Sequence, residues 1–328
     1  MPTPQEQYSA ELNAIIARYG KLEDQTARAV LRLLQDTRQQ ITVLLSDAEN
    51  WQAYRLQNTQ ARVDDLIAQF EAQAAVLARN ATTGAVDTGA LAAIAPLQAL
   101  AIPAAFITPT PQLLNTLTTF NAAMITGITD QLRAAVNVQV RNVALGITSP
   151  TTAMTNLTQL FGTYGVKQGK LVTSGISAKA EMDIRTEMQT AFNVSNYAQQ
   201  QNVAKSIPGL TKRWIATADS RTRLGHLRIH NETRLKPIPV DTTYTVYDIT
   251  DSGRIKDKTE MRFPLDPVAP GWARINCRCT QATIHPEIGV IGSSLDGRIA
   301  AEMQRRNLEG RIIAWWEGTK HRWIYRHA

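Results

Sequence analysis

The stretch RINCRCTQATIH, residues 274–285, decides the reading of this chain, because it holds both cysteines, Cys277 and Cys279, on either side of Arg278. Apolar and polar residues alternate through it, which predicts a strand, and in a strand residues two apart share a face. Both sulfurs then form one edge with Arg278 on the other. Upstream, DSRTRLGHLRIHNE, residues 219–232, places His226 and His230 four residues apart, on one face of a helix with Asp219 as its N-cap. Two imidazoles and two thiolates make a complete tetrahedral zinc set. C-x-C is tighter than the usual zinc-knuckle spacing, and small buried cysteines also serve as compact apolar packing, so both roles stand. A redox pair is disfavoured, since C-x-C lacks the helix N-terminus that lowers a thiol pKa in C-x-x-C proteins.

Around this stretch the pattern has period two. KRWIAT (212–217) is a short strand, TYTVYD (243–248) alternates, Asp251-Ser252-Gly253 is a turn, and EMRF (260–263) is extended. Toward the N-terminus the period becomes helical. Leu12, Ile15, Ile16, Tyr19 and Leu22 form one stripe; Val30, Leu31, Leu34, Ile41, Leu44 and Leu45 continue it. Val63, Leu66, Ile67, Phe70 and Leu77 resume it after an interruption at 51–60. Residues 80–111, rich in Ala, Thr, Gly and Pro, read as a connector with short helical pieces. A helix starts near Pro111, with Leu113, Leu117, Phe120, Met124, Ile128 and Leu132 along one side. Ser149 then caps a short helix with Pro150 at its first position, running to about Phe161. A last helix runs from Ser177 until Pro208-Gly209 stops it. The expected fold class is α+β: a mainly α-helical N-terminal body (1–148), a small α+β domain within 149–290, and a basic, Trp-rich helical tail (291–328).

At 328 residues the chain is long enough for two structural units. Two cysteines argue against a disulfide-built secreted module and suit folding in a reducing cytoplasm. The opening MPTPQEQYSAEL has no signal-peptide character. The apolar run from Gly89 is mostly alanine and is broken by Pro96 and Pro103, so a membrane span is not expected. Charge is uneven: 14 Lys and Arg stand against 15 Asp and Glu in residues 1–200, but 21 stand against 13 in residues 201–328. An anionic partner would therefore meet the C-terminal part.

Catalytic constellations are thin. G-x-S-x-G, G-x-x-x-x-G-K-[ST], H-E-x-x-H and a dinucleotide glycine fingerprint are all missing. A metal-dependent nuclease or hydrolase centred on His226, His230, Cys277 and Cys279 is the alternative from another class. In the tail, Arg305, Arg306, Arg311, Lys320, Arg322 and Arg326 interleave with Trp315, Trp316, Trp323 and Tyr325. This mixture suits phosphate neutralisation and stacking on double-stranded DNA, and equally suits covering an apolar surface.

The ordered set Ile184-Arg185-Thr186-Glu187 in a helix, Trp214, Asp219-x-Arg221-x-Arg223-x-x-His226, Phe263-Pro264-x-Asp266-Pro267 and Asn276-Cys277-Arg278-Cys279 resembles the phage Mu F-like minor head protein family, over about residues 150–285. The resemblance implies a virion protein of a tailed bacteriophage, assembled in the host cytoplasm. Its place would be the portal vertex and capsid interior, its partners the portal protein, the major capsid protein and packaged DNA, and its role head assembly and DNA packaging or ejection. No enzymatic activity comes with it. His226 matches the family's histidine, whereas His230 falls where none is fixed. The first 148 residues match nothing in the family; their amphipathic helices suit portal or capsid binding, or a self-contained bundle. On this reading Cys277 and Cys279 close the small domain against the His226 helix, by packing or by zinc.

Overall fold

The computed structural model describes residues 2–52, 54–167, 170–217, 222–250, 253–288, 299 and 301. About 66% of the chain is helical, with small antiparallel sheets gathered toward the C-terminal side. The order is α1 (Pro4–Ser46), a 3₁₀ turn (Ala48–Trp51), α2 (Leu56–Gln98), α3 (Pro111–Ala144), α4 (Pro150–Phe161), β1 (Tyr164–Lys167), β2 (Lys170–Thr173) and α5 (Gly175–Ala204). Then follow β3 (Thr211–Ile215), α6 (Leu224–Leu235), β4 (Ile238–Pro239), β5 (Tyr244–Ile249), β6 (Ile255–Met261), α7 (Gly271–Arg274) and β7 (Thr280–Ile284). A mainly helical body with a small α+β part is therefore the architecture.

Two compact units interleave along the chain: 20–85 with 110–188, and 1–19 with 86–109 and 189–328. This differs from a sequential division at residue 148. The reason lies in helix length, since α1, α2 and α5 are each long enough to contribute a segment to both units.

The helical unit is built on the stripes legible in the sequence. Val30, Leu31, Leu34, Ile41 and Leu45 of α1 pack with Val63, Ile67 and Phe70 of α2, Ile125, Ile128 and Leu132 of α3, and Leu157 and Phe161 of α4. Each such side chain contributes about 1.5–3 kcal/mol on burial. The starts of α3 and α4 follow their cap signals: Thr110 Oγ1 accepts from Leu113 N–H at 3.3 Å, and Ser149 Oγ from Thr152 N–H at 3.1 Å, each followed by proline at the first helical position. The β1–β2 hairpin was not anticipated. It is tied back by Gly162 (φ 72°), where a Cβ would lie 1.9 Å from Ser174 O.

Residues 80–111 depart from expectation. They form no connector until Gln98, because α2 runs through them as one helix with Pro96 in its last turn. Alanine is the strongest helix former, and Ala85, Val86, Ala92, Ala93, Ile94 and Leu97 are all fully buried. Burial outweighs the single hydrogen bond that Pro96 removes.

In the second unit, β3 is the centre of a three-stranded antiparallel sheet, ordered β4-β3-β7, with Trp214 opposite Gln281 and Arg213 opposite Ala282. The β5–β6 hairpin pairs Tyr244 with Met261. The first turns of α1 join this unit through Tyr8, whose hydroxyl donates to the Thr283 carbonyl. Helix α2 approaches α5 so closely at Gly89 that a Cβ there would lie 2.1 Å from Phe192 O.

Candidate metal centre

The strand expected through Cys277 and Cys279 begins later, at Thr280. Both cysteines sit in extended chain between α7 and β7, after Asn276 takes a left-handed turn (φ 57°). Asparagine tolerates this conformation better than most residues, which explains its place before the first cysteine. Cys277 N–H donates to Arg274 O at 3.0 Å, closing the turn.

Both sulfurs nonetheless meet the expected histidine. Cys277 Sγ and Cys279 Sγ each lie 3.4 Å from His226 Nδ1, and one donor atom from each of the three residues fits within 4.8 Å of the others. All three residues are buried. His226 is carried by α6, which packs tightly on β5: a Cβ at Gly225 would lie 1.9 Å from Tyr247 O. Trp214 of β3 meets the imidazole edge-on, ring centres 5.2 Å apart, and meets Tyr244 at the same separation on another side. His226 Nε2 is buried without a hydrogen-bond partner among the described residues, so Trp214 and the group shared by Nδ1 and the sulfurs hold the ring.

His230 does not join this group, which corrects the four-ligand set. It lies one helical turn further on, fully buried, and its Nδ1 accepts from Ala216 N–H, just past β3, 3.3 Å away. The cap of α6 is also corrected. The N-cap is Arg223, without a side-chain cap bond, so the helix starts later than a cap at Asp219 requires. Asp219 itself lies outside the described residues.

The Cys-x-Cys segment is anchored on three sides. Thr217 Oγ1 donates to Arg278 O at 2.7 Å, and Arg223 Nη2 to Ile275 O at 2.7 Å. The Cys279 carbonyl accepts from two α5 amides, Gln189 Nε2 at 3.2 Å and Asn193 Nδ2 at 2.9 Å. These two residues went unnoticed in the sequence; their i, i+4 spacing on α5 is the only signal they give. Between the anchors lies a cavity of about 10 Å³, lined by Thr217, Thr222, Arg223, His226, Asn276, Cys277, Arg278 and Cys279. That is the size of one water molecule or one ion.

Burial pushes the Cys279 thiol up, but the hydrogen bond with Cys277 and the charge of His226 bring it well below the ordinary thiol value. Cys277 moves the other way, raised by burial and by its Cys279 neighbour. One thiolate is thus already favoured beside His226; ligation by Nδ1 would further require the neutral ring. The donor set, its spacing and the one-ion cavity fit a metal ion.

The remaining signature residues divide between the units. Pro264 is buried in the turn after β6, where Leu265 has φ 62°. Asp266 staples that turn, accepting from Arg262 through the backbone at 3.0 Å and the guanidinium at 2.7 and 2.6 Å. Burial pushes its carboxyl up, and those bonds carry it below the usual value. Arg185 belongs to the helical unit, gripping Glu23 at 3.3 Å, Asp24 at 3.1 Å and Glu181 at 3.0 Å. Glu187 is half-buried on the same helix. Arg305, Arg306, Arg311, Lys320, Arg322 and Arg326 lie outside the described residues.

A third residue missed in the sequence is Lys212, fully buried on β3. Its Nζ donates to Arg262 O at 2.6 Å and lies 4.9 and 4.8 Å from the ring centres of Tyr197 and Tyr244. Burial pulls the amine down to about 7, against the opposing pull of Asp241 and Asp266. No family model, curated protein or solved structure matches the chain. No helix among the described residues is long and apolar enough to cross a membrane.

Proposed function

We propose that this chain is a minor capsid or head-morphogenesis protein of a tailed bacteriophage, associated with the portal and the capsid interior. One observation carries the reading: among the described residues of the second unit, the signature residues serve each other as packing partners. Trp214 backs His226, His226 meets Cys277 and Cys279, Asn276 turns the chain into the first cysteine, and Pro264 and Asp266 shape the adjoining turn. The space of about 10 Å³ beside the three donors suits an ion. The motif set reads as a way to close a small domain.

Zinc is the closing ion on this reading, because two thiolates and an imidazole suit it and the Cys279 thiolate is already favoured. His226 Nδ1, Cys277 Sγ and Cys279 Sγ would hold it, and it would supply cross-linking of α6 to the Cys-x-Cys segment. The portal protein, the major capsid protein and packaged double-stranded DNA are the partners that follow, with the basic tail as the DNA-facing part. The test is the composition of purified virions and the phenotype of their loss. The chain should be found in few copies per particle, and phage lacking it should yield defective heads or particles that fail to deliver DNA. A zinc-loaded protein that degrades DNA in a metal-dependent manner, and that is missing from virions, would replace this reading with the nuclease.

A further inference from the structure

The sequence has only two cysteines, and both of their sulfurs meet one atom of His226. Two residues of chain reach at most about 7 Å, and a disulfide needs Cα atoms about 4.4–6.8 Å apart, so the spacing alone brings this pair to the bonding range. Side-chain direction agrees. Each sulfur lies 3.4 Å from Nδ1, and the two lie within 4.8 Å of each other. The Cys279 N–H also donates to the Cys277 sulfur at 3.4 Å, so the backbone already curls round it. Thr217, Arg223, Gln189 and Asn193 pin the segment through its carbonyls. Joining the sulfurs therefore calls for side-chain rotation more than backbone movement.

We propose that this centre is an oxidation-sensitive clip, in which peroxide joins Cys277 to Cys279 and the metal ion leaves. It rests on the zinc reading above and adds a mode of regulation to it. Two zinc-bound thiolates supply two electrons, the O–O bond of hydrogen peroxide breaks and an S–S bond forms. Two protons from solvent complete two waters as Zn²⁺ departs. Zinc ligation needs thiolates, so the ion and the S–S bond exclude each other. The cross-link thus moves from between α6 and the Cys-x-Cys segment to within that segment. Both sulfurs are buried, so the oxidant must be small and uncharged, as hydrogen peroxide is. The spacing argues against a catalytic redox pair, which must turn over rapidly, whereas a clip that reacts once needs only proximity. A ring closed over one residue is strained, and strained disulfides are readily reduced, so the change is reversible. A virion protein meets both conditions, folding in a reducing cytoplasm and then entering an oxidising medium with the released particle.

The test treats the zinc-loaded full chain with hydrogen peroxide and follows zinc release with a chromogenic chelator, alongside a count of free thiols. Trypsin cuts after Arg274, Arg278 and Arg298, so peptides 275–278 and 279–298 stay joined without reductant only if an S–S bond links them. Zinc and both thiols should be lost together, the two peptides should stay joined, and the protein should run as a single chain on a non-reducing gel. A dithiol reductant should restore both thiols and zinc uptake. Zinc and thiols that survive a dose sufficient to oxidise the chain's methionines would overturn the clip. Cysteines that gain oxygen atoms instead of pairing, or that link two chains, would overturn it equally. A chain that takes up no zinc yet forms the reversible internal disulfide would overturn the zinc reading and the release of metal, and would leave the sulfur pairing in place.

Discussion

Raising the pH from 7 to 10 should stabilise this protein, and Lys212 is the reason. Its amine is held at about 7 in the folded chain by burial, against an ordinary value of about 10.4 in an unfolded one. Between those values the unfolded state binds a proton that the folded state does not, so stability rises with pH through the window. At about 1.4 kcal/mol per pH unit the full effect approaches 5 kcal/mol. The faces of Tyr197 and Tyr244, 4.9 and 4.8 Å from Nζ, favour the charged form by about 0.5–2 kcal/mol each and bring the expected gain to roughly 1–4 kcal/mol. Above pH 10 the trend reverses, because burial holds the Tyr8 and Tyr244 phenols well above their ordinary value and unfolding releases their protons. The assay is urea denaturation at pH 7, 8, 9 and 10, comparing the natural chain with Lys212→Met, which keeps length and volume but cannot titrate. The difference between the two isolates Lys212 from every other titrating group. Parallel pH profiles for the two proteins would refute the argument.

Three further outcomes are expected. If the centre holds zinc as proposed, removing it with a chelator should speed amide exchange in residues 189–204, because Gln189 and Asn193 both hold the Cys279 carbonyl; zinc lost with no change in that exchange would break the link. Gly89→Ala should cost about 1–3 kcal/mol or more, since its Cβ would lie 2.1 Å from Phe192 O, and a melting temperature unchanged within a degree would show that the helices can part freely. Arg185→Leu leaves the buried Glu23 without its cation and should cost about 3–5 kcal/mol at neutral pH, with much of the loss recovered in Arg185→Leu/Glu23→Gln; a single variant as stable as the natural chain would contradict the network.

The helical body was legible because its apolar positions recur at helical spacing and its later helices carry Ser or Thr caps followed by proline. The alanine-rich run misled because Pro96 and Gly89 look like breakers. Proline costs one hydrogen bond near a helix end, and this glycine serves a close helix crossing rather than a turn. At the candidate site, the partnership of His226 with both cysteines was readable from residue type. Its geometry was not: alternation in RINCRCTQATIH suggested one continuous strand, yet α7 ends at Arg274, Asn276 is left-handed and the strand begins only at Thr280. His230 had the right spacing and the wrong environment, because a helix can place two histidines on one face while only one of them reaches the cysteines. Lys212, Gln189 and Asn193 were invisible as functional residues, since their roles depend on long-range partners that no local pattern encodes.

The most direct test of the central claim is the state of this chain when it is expressed together with the portal protein of the proposed phage. The account predicts that the two co-purify, that the assembly has the mass of a portal ring carrying this chain, and that the zinc-loaded chain leaves DNA intact in the same preparation. A chain that migrates alone under all salt conditions, makes no complex with the portal ring and cuts DNA would contradict it.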